Sequence, residues 1–384
     1  MRISRKQNIG PIGLDIGARQ IKAVQLSGNL TDKLQVEAGS IAYHSDGELS
    51  ELPDADQLPG RPKIEAAAKF DRLEPEQPFS TEEVKRLKKV LSRSGFIGHE
   101  IVVSMPANKT FSSVLDIPPV RNEENLIQIA KGELSRSHRL EQDQVSFDYW
   151  ELPRPIRSTQ TVPVMATCCK HEDVNQLIEV LESGGLRVSG VDTQGWATAR
   201  SCTPIINQMP GIVAVVDLAW EIASFDLIHH GTVIYQRTLE KCANKTMFEA
   251  IEAEHGIPRS VVDWLLGKVG VADHEGACDS DVQLFNKFRN LVEDHYSMVG
   301  QELSLSMNYA LHQYPSAPLQ ALLITGGGAE MLGATDYLSA IVDARVYNVE
   351  FNHIGQSTQL ESEILRSSVF NVAAGLAQYT KEAA

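Results

Sequence analysis

The chain has 384 residues, a formal net charge of −15, 42% hydrophobic residues and 22% charged residues. That length allows two or more domains with separate cores, and the composition is that of a globular protein. The acidic balance argues against binding along a nucleic-acid backbone, which needs a basic footprint, and no stretch approaches the roughly 18 apolar residues of a membrane span.

In chain order, an apolar run rises to Asp15, a turn follows at Ile16-Gly17-Ala18-Arg19, and a second β-prone run covers residues 21–26. This spacing predicts a strand, a tight turn and a returning strand, with a third strand at 34–43. Backbone N–H groups in such a glycine turn can cradle phosphate oxygens, and the aspartate beside it can hold Mg²⁺ through water. The alternative is an ordinary hairpin with a surface aspartate. Residues 45–80, rich in Pro, Asp and Glu, are expected to form an exposed loop. Thr81 is expected to cap a helix over 82–94, with acidic residues in its first turn and Gly95 as its stop.

Strands are predicted at 101–106 and 111–117, a helix at 122–135 and a strand at 145–152; this block reads as a small inserted subdomain. A strand at 162–168, a helix at 172–183, a strand at 186–191 and a helix at 194–201 follow. The five cysteines contain no C-x-x-C pair and indicate neither a zinc site nor a disulfide framework. The basic first residues, 1–7, precede no apolar segment, so no signal peptide is expected and the protein is placed in the cytoplasm.

The second half repeats the opening pattern. Ile212 to Val216 drive into Asp217, strands follow at 223–228 and 233–239, and the two aspartates lie about half the chain apart. A hairpin unit repeated once per half suggests two related domains facing a shared cleft. Helices are expected near 246–255 and 259–266, an acidic loop at 273–281, and a long helix over 282–313. In that helix Leu284, Phe288, Leu291, Tyr296, Val299, Leu303 and Met307 form an apolar stripe for core packing. A short strand then ends in Thr325-Gly326-Gly327-Gly328-Ala329, and a closing helix at 365–379 returns to the first domain.

Strand-Asp-x-Gly, a second strand-Asp turn midway and a late Thr-Gly-Gly-Gly-Ala resemble the phosphate-1, phosphate-2 and adenosine motifs of the actin-like ATPase superfamily. Within it, the chain resembles the type IV pilus assembly protein PilM family over nearly its whole length. The matching segments include Gly13-Leu14-Asp15-Ile16-Gly17 through Lys22-Ala23-Val24, Val103-Ser104-Met105-Pro106 and Leu115-Asp116-Ile117-Pro118. Phe147-Asp148-Tyr149, Val180 to Leu186, Val191-Asp192 and Thr325 to Ala329 match as well.

The resemblance implies an α/β, actin-like (ribonuclease H-like) two-domain fold with ATP and Mg²⁺ in the cleft. It divides the chain into a first part of domain 1A (1–99), an inserted subdomain 1C (100–160) and a second part of 1A (161–205). Domain 2, with 2A and 2B, covers 206–364, and 365–384 is the returning helix. Asp15, Gly17, Ala18, Arg19, Lys22, Asp217, Ala219, Gly326, Gly327 and Gly328 fall at nucleotide-contacting positions. Asp15 and Asp217 would hold Mg²⁺ through water, and Asp192 and Gln194 sit where the superfamily positions the attacking water. The implied role is a scaffold on the cytoplasmic face of a type IV pilus or type II secretion platform. Its implied partner is the cytoplasmic tail of a PilN-like inner-membrane protein, with self-association also open. FtsA-like relatives carry an amphipathic membrane-targeting helix at the C-terminus; the ending Tyr379-Thr380-Lys381-Glu382-Ala383-Ala384 is too short and polar for one, so no direct membrane insertion is expected.

The sequence departs from the family at phosphate-2, which there reads roughly Asp-Ile-Gly-Ala-x-Thr-Thr and here reads Asp217-Leu218-Ala219-Trp220-Glu221-Ile222-Ala223. A positive φ at Ala219 would cost on the order of 1 kcal/mol, and Glu221 would bring a carboxylate near phosphate oxygens. A Gly-Gly pair usual in the following loop is Ala243-Asn244 here. Weak ATP binding and very slow turnover are therefore expected. The competing readings are an active sugar or acyl kinase of the superfamily and a filament-forming FtsA-like protein.

Overall fold

The computed structural model describes residues 9–28, 35–45, 69–71, 80–120, 122–153, 161–256, 262, 266, 270–271, 282–315, 317–354 and 366–379. The strands are β1 (Ile9–Ile16), β2 (Gln20–Ser27), β3 (Gln35–Ser45), β4 (Lys69–Asp71), β5 (Glu100–Met105), β6 (Phe111–Ile117) and β7 (Val145–Glu151). They continue with β8 (Val162–Lys170), β9 (Arg187–Thr193), β10 (Ile212–Asp217), β11 (Ala223–His229), β12 (Thr232–Leu239), β13 (Leu319–Thr325) and β14 (Val346–Asn348). The helices are α1 (Thr81–Arg93), α2 (Glu123–Ser137), α3 (His171–Ser183), α4 (Gln194–Ile206), α5 (Asn244–His255), α6 (Val282–Leu311), α7 (Ala334–Ile341) and α8 (Asn371–Ala377).

Two mixed sheets share one plan. The first runs β4-β3-β2-β1-β5-β9 and the second β12-β11-β10-β13-β14. In each, an antiparallel three-strand meander leads out from a central strand, and a later strand joins that strand in parallel: β5 beside β1, β13 beside β10. The hairpins carry the strand-Asp turns, so Asp15 and Asp217 end equivalent central strands. β1 is buried from Ile12 to Asp15 and β10 throughout, as strands covered on both faces require.

A third sheet, β6-β8-β7, is covered by α2 through Ile117, Leu126, Ala130 and Val164. Its central strand is β8, beyond residue 160, while β5 belongs to the first large sheet; the expected 100–160 block thus misses its own middle strand and includes one from elsewhere. Leu152 and Met165 enter the main core of the second lobe, and Trp150 on β7 donates its Nε1–H to the Val233 carbonyl on β12 at 2.7 Å. The small sheet is anchored to the second lobe as well as to the first.

Helix α8 is wedged between β1 and α4. A Cβ on Gly13 would stand 1.9 Å from the Ala373 oxygen, and one on Gly375 would stand 1.7 Å from the Ala197 oxygen. Two glycines thus permit a backbone-to-backbone approach that seats the last helix on the first sheet. That helix begins at Asn371 and not at 365, because Ser367 and Ser368 are engaged with Glu330 and Asn348. Three further expectations need adjustment. The α1 N-cap is Ser80 and not Thr81, in a capping box with Glu83, and β4 lies inside the expected 45–80 loop, paired in parallel with β3. Helix α4 continues past 201 to Ile206, through Pro204. The expected helix at 259–266 and the loop at 273–281 fall outside the described residues but for Val262 and Leu266.

Candidate functional site

A cleft of about 890 Å³ lies between the lobes, within the size range of small-ligand sites. Its lining includes Asp15, Gly17, Ala18, Arg19 and Lys22 from the β1–β2 turn. Asp217 and Ala219 come from the second hairpin, and Gly326, Gly327 and Gly328 follow β13. Gln194, the first residue of α4, lines it too. The ends of two equivalent central strands and the turn after β13 bring these residues together, although the chain separates them by up to some three hundred positions.

The glycines mostly serve packing. Gly326 has φ +80°, and an added Cβ would sit 2.1 Å from the Asp217 Oδ1. A Cβ on Gly328 would meet the Leu218 Cβ at 2.6 Å and the Asn244 Oδ1 at 2.9 Å, whereas one on Gly327 would meet nothing within 4 Å. Several amides of the nucleotide motifs already donate within the protein. Gly17 N–H bonds the Gln20 carbonyl, Gly326 N–H that of Ser368 and Gly328 N–H that of Leu218, each at 3.0 Å. Asn244 and Lys245, at the start of α5, donate to the carbonyls of Ala219 and Trp220 at 3.1 and 2.9 Å.

Electrostatics centre on Lys22. Its Nζ donates to Asp15 Oδ2 at 2.9 Å, across the Asp15–Lys22 register of β1 and β2. Burial acts to lower the Lys22 pKa, but the carboxylates of Asp15 and then Asp217 outweigh it and hold the ammonium above its ordinary value. Asp15 Oδ1 is buried with no hydrogen-bond partner. Burial pushes Asp217 up to about 6, opposed by Lys22 and by the Thr325 hydroxyl at 3.4 Å. Asp226 on β11, behind the site beside Gly195 and Gln236, is pushed up to about 7 by burial and then by Asp217.

Two expectations change. Asp192 does not line the cleft: its carboxylate is paired with Arg200 and accepts from the Thr193 N–H. The helix after β9 starts on the Thr193 side chain, which accepts from Trp196 N, and turns Gln194, not Asp192, to the cleft. Ala219 carries no strain, since the non-glycine residues with positive φ among those described are Arg139 and His230. Glu221 does reach the cleft, but it stays exposed on the lip.

Sequence reasoning missed an aromatic shelf. Trp220 packs edge-on to Phe248 with ring centroids 4.8 Å apart, and the Arg19 guanidinium lies 4.5 Å from the Trp220 centroid and 5.2 Å from that of Phe248. This cation–π stack crosses from one lobe to the other at the cleft. The signal was the bulky Trp220 at a position where the family's phosphate-2 pattern has alanine. Glu330, also unforeseen, lines the cleft and accepts from Ser368 N at 3.0 Å. Among the described residues, no group of three or more His, Cys, Asp or Glu side chains is arranged to hold a metal.

A family model described as Type IV pilus assembly protein PilM matches residues 75–381. Among solved structures, the chain is similar to the PilM-PilN type IV pilus biogenesis complex at 18% identity. That match covers 97% of this chain and 98% of that one with a TM-score of 0.70. It is also similar to the ethanolamine utilization protein EutJ from Carboxydothermus hydrogenoformans, at 11% identity, with coverages of 97% and 90% and a TM-score of 0.53. These likenesses concern the fold, which is the actin-like α/β architecture that the motif order implied.

Proposed function

The chain belongs to the type IV pilus assembly protein PilM family, and from that premise we propose a nucleotide-binding scaffold on the cytoplasmic face of an inner-membrane platform. Its partner is the cytoplasmic tail of a PilN-like membrane protein. The observation that carries the nucleotide half is the convergence of both strand-Asp turns and the triple-glycine turn on one cleft, around a half-buried lysine. Lys22 and Arg19 are the cations for phosphate oxygens, and the open face of Gly327 is the surface for adenosine. The unpartnered Asp15 Oδ1 fits a hydrated Mg²⁺, with Asp217 as second anchor. Mg²⁺ bound there would neutralise phosphate charge.

Binding is weak because amides at Gly17, Gly326 and Gly328 are already engaged, so the nucleotide must compete with bonds worth about 1 kcal/mol each. Turnover is slow because Asp192 is tied to Arg200 and only Gln194 remains at the crossing to orient water.

The partner half rests on the small sheet, whose outer strands β6 and β7 can take an extended peptide along an edge or in the groove beside it. The test is a pull-down of the full chain with the partner's tail, with and without ATP and Mg²⁺, alongside calorimetry with ATP. Capture by the tail, and calorimetric binding no tighter than micromolar, are expected. No capture in any condition would sink the scaffold reading, and tight binding with brisk hydrolysis would favour the kinase reading. Point substitutions on β7 should map the seat; deletion of the whole small sheet, β6 to β8, would remove Leu152 and Met165 from the second lobe's core.

A further inference from the structure

Helix α1 is amphipathic in an unusual sense for so acidic a chain. Val84, Leu87 and Leu91 point into the first lobe, while Arg86, Lys89 and Arg93 recur at the same i, i+3, i+7 spacing on the solvent side. Lys85 is exposed beside them and pairs with Glu82 at 2.6 Å; Glu83 is buried in the capping box. Among the described residues, Arg86, Lys89 and Arg93 have no ion-pair partner. A protein of net charge −15 thus shows one helix face on which four exposed cations, Lys85, Arg86, Lys89 and Arg93, outnumber one exposed carboxylate, Glu82, which is drawn to Lys85 first and to Arg86 and Lys89 more weakly.

The loop that leaves this helix presents Ile97 with 58% of its surface exposed, the highest value among the described large hydrophobics outside α6. The presentation is fixed. The buried Gln25 side chain accepts from Ile97 N–H at 2.8 Å and donates to the Ile97 carbonyl at 2.9 Å, with a further bond to the Gly10 carbonyl at 3.0 Å. Gly95 and Gly98, at φ +87° and +83°, make the turns on either side, where an added Cβ would meet nothing within 4 Å. The clamp ties the loop to the first sheet and, with Phe96 buried in the first lobe's core, leaves the Ile97 side chain directed outward.

We propose that the outer face of α1, with Ile97, is a peripheral docking surface for an anionic phospholipid bilayer. Lysines and arginines are attracted to an anionic leaflet from about one Debye length, and an apolar side chain held at the edge of such a patch enters the headgroup boundary. A membrane surface suits this patch better than an acidic protein segment does. The basic side chains lie along one exposed helix face, none of them nor Ile97 lines the cleft, and their neighbour is an apolar side chain held outward, the arrangement that enters a headgroup boundary. The surface is separate from the cleft and does not depend on nucleotide.

The test uses the full chain without its partner, sedimented with vesicles of phosphatidylglycerol and phosphatidylcholine or of phosphatidylcholine alone. Wild type should pellet with the anionic vesicles at about 0.01 M salt and be released at about 1 M, where screening shortens to about 3 Å. The Arg86→Gln, Lys89→Gln, Arg93→Gln variant should partition about 100-fold more weakly, about fivefold per charge. Ile97→Ser should partition about tenfold more weakly. All the replaced side chains are exposed, and an unchanged thermal midpoint establishes that the variants are folded. Equal sedimentation with neutral vesicles, or an unweakened triple variant, overturns the proposal. So does wild type that ignores anionic vesicles yet binds polyglutamate, which would make the face a site for acidic protein.

Discussion

Replacing Lys22 by methionine tests the electrostatic centre of the cleft. Lys22 and Asp15 pair at 2.9 Å with side-chain exposures of 17% and 5%, and Asp217 lies near enough to raise the lysine. Methionine preserves the packing of the stem but leaves two buried carboxylates without an ammonium, and breaking a buried pair by removing one partner typically costs about 3–5 kcal/mol. The residual exposure of Lys22 puts the expected loss near the lower end, about 3 kcal/mol at pH 8. Asp217 already titrates upward, to about 6, because burial favours its neutral form. A raised carboxylate costs stability as pH climbs through its folded value, and loss of Lys22 enlarges that cost. At pH 5 Asp217 is mostly protonated and the loss should shrink by about half. Urea unfolding followed by tryptophan fluorescence at pH 5 and pH 8 provides the measurement, with millimolar Mg²⁺ added in a second series. Mg²⁺ should restore part of the loss at pH 8, since two unpaired carboxylates attract a divalent ion. A loss below about 1 kcal/mol, or one equal at the two pH values, would refute the assignment of Lys22 as the cation that holds this site together.

Gly326→Ala should abolish ATP binding in calorimetry, because a Cβ at φ +80° would collide with the Asp217 carboxylate; unchanged affinity would show that Asp217 plays no part. Arg19→Ala removes the stack on Trp220 and Phe248, worth about 1–2 kcal/mol, and should weaken ATP more than ADP and change Trp220 fluorescence. Asp226→Asn should raise the unfolding midpoint at pH 8 by an amount worth about 2–4 kcal/mol and leave it unchanged near pH 4. The wild-type carboxyl, pushed up to about 7, is destabilising only where it must ionise. Trp150→Phe leaves the Val233 carbonyl without its donor and should cost about 1–3 kcal/mol in urea unfolding.

Local signals carried the repeated architecture. Apolar runs that end in Asp15 and Asp217, each followed by a returning β-prone run, define two hairpins whose partners are close in sequence, so period and turn chemistry suffice to place them. The α1 cap is legible too: Ser80 and Glu83 form a capping-box pattern one residue before the expected Thr81. Other features arise from contacts between distant segments, which leave no period behind. The three residues of β4 form a strand because β3 offers an edge. Asp192 leaves the cleft because Arg200, two turns along α4, reaches it first. The glycines after β13 could be read from sequence as an adenosine turn. Only the folded chain shows that Gly326 is needed to admit the Asp217 carboxylate, and that Gly17, Gly326 and Gly328 have already committed their N–H groups to other carbonyls. Sequence determined which residues could meet a nucleotide; the tertiary structure decided which of their hydrogen bonds are already engaged.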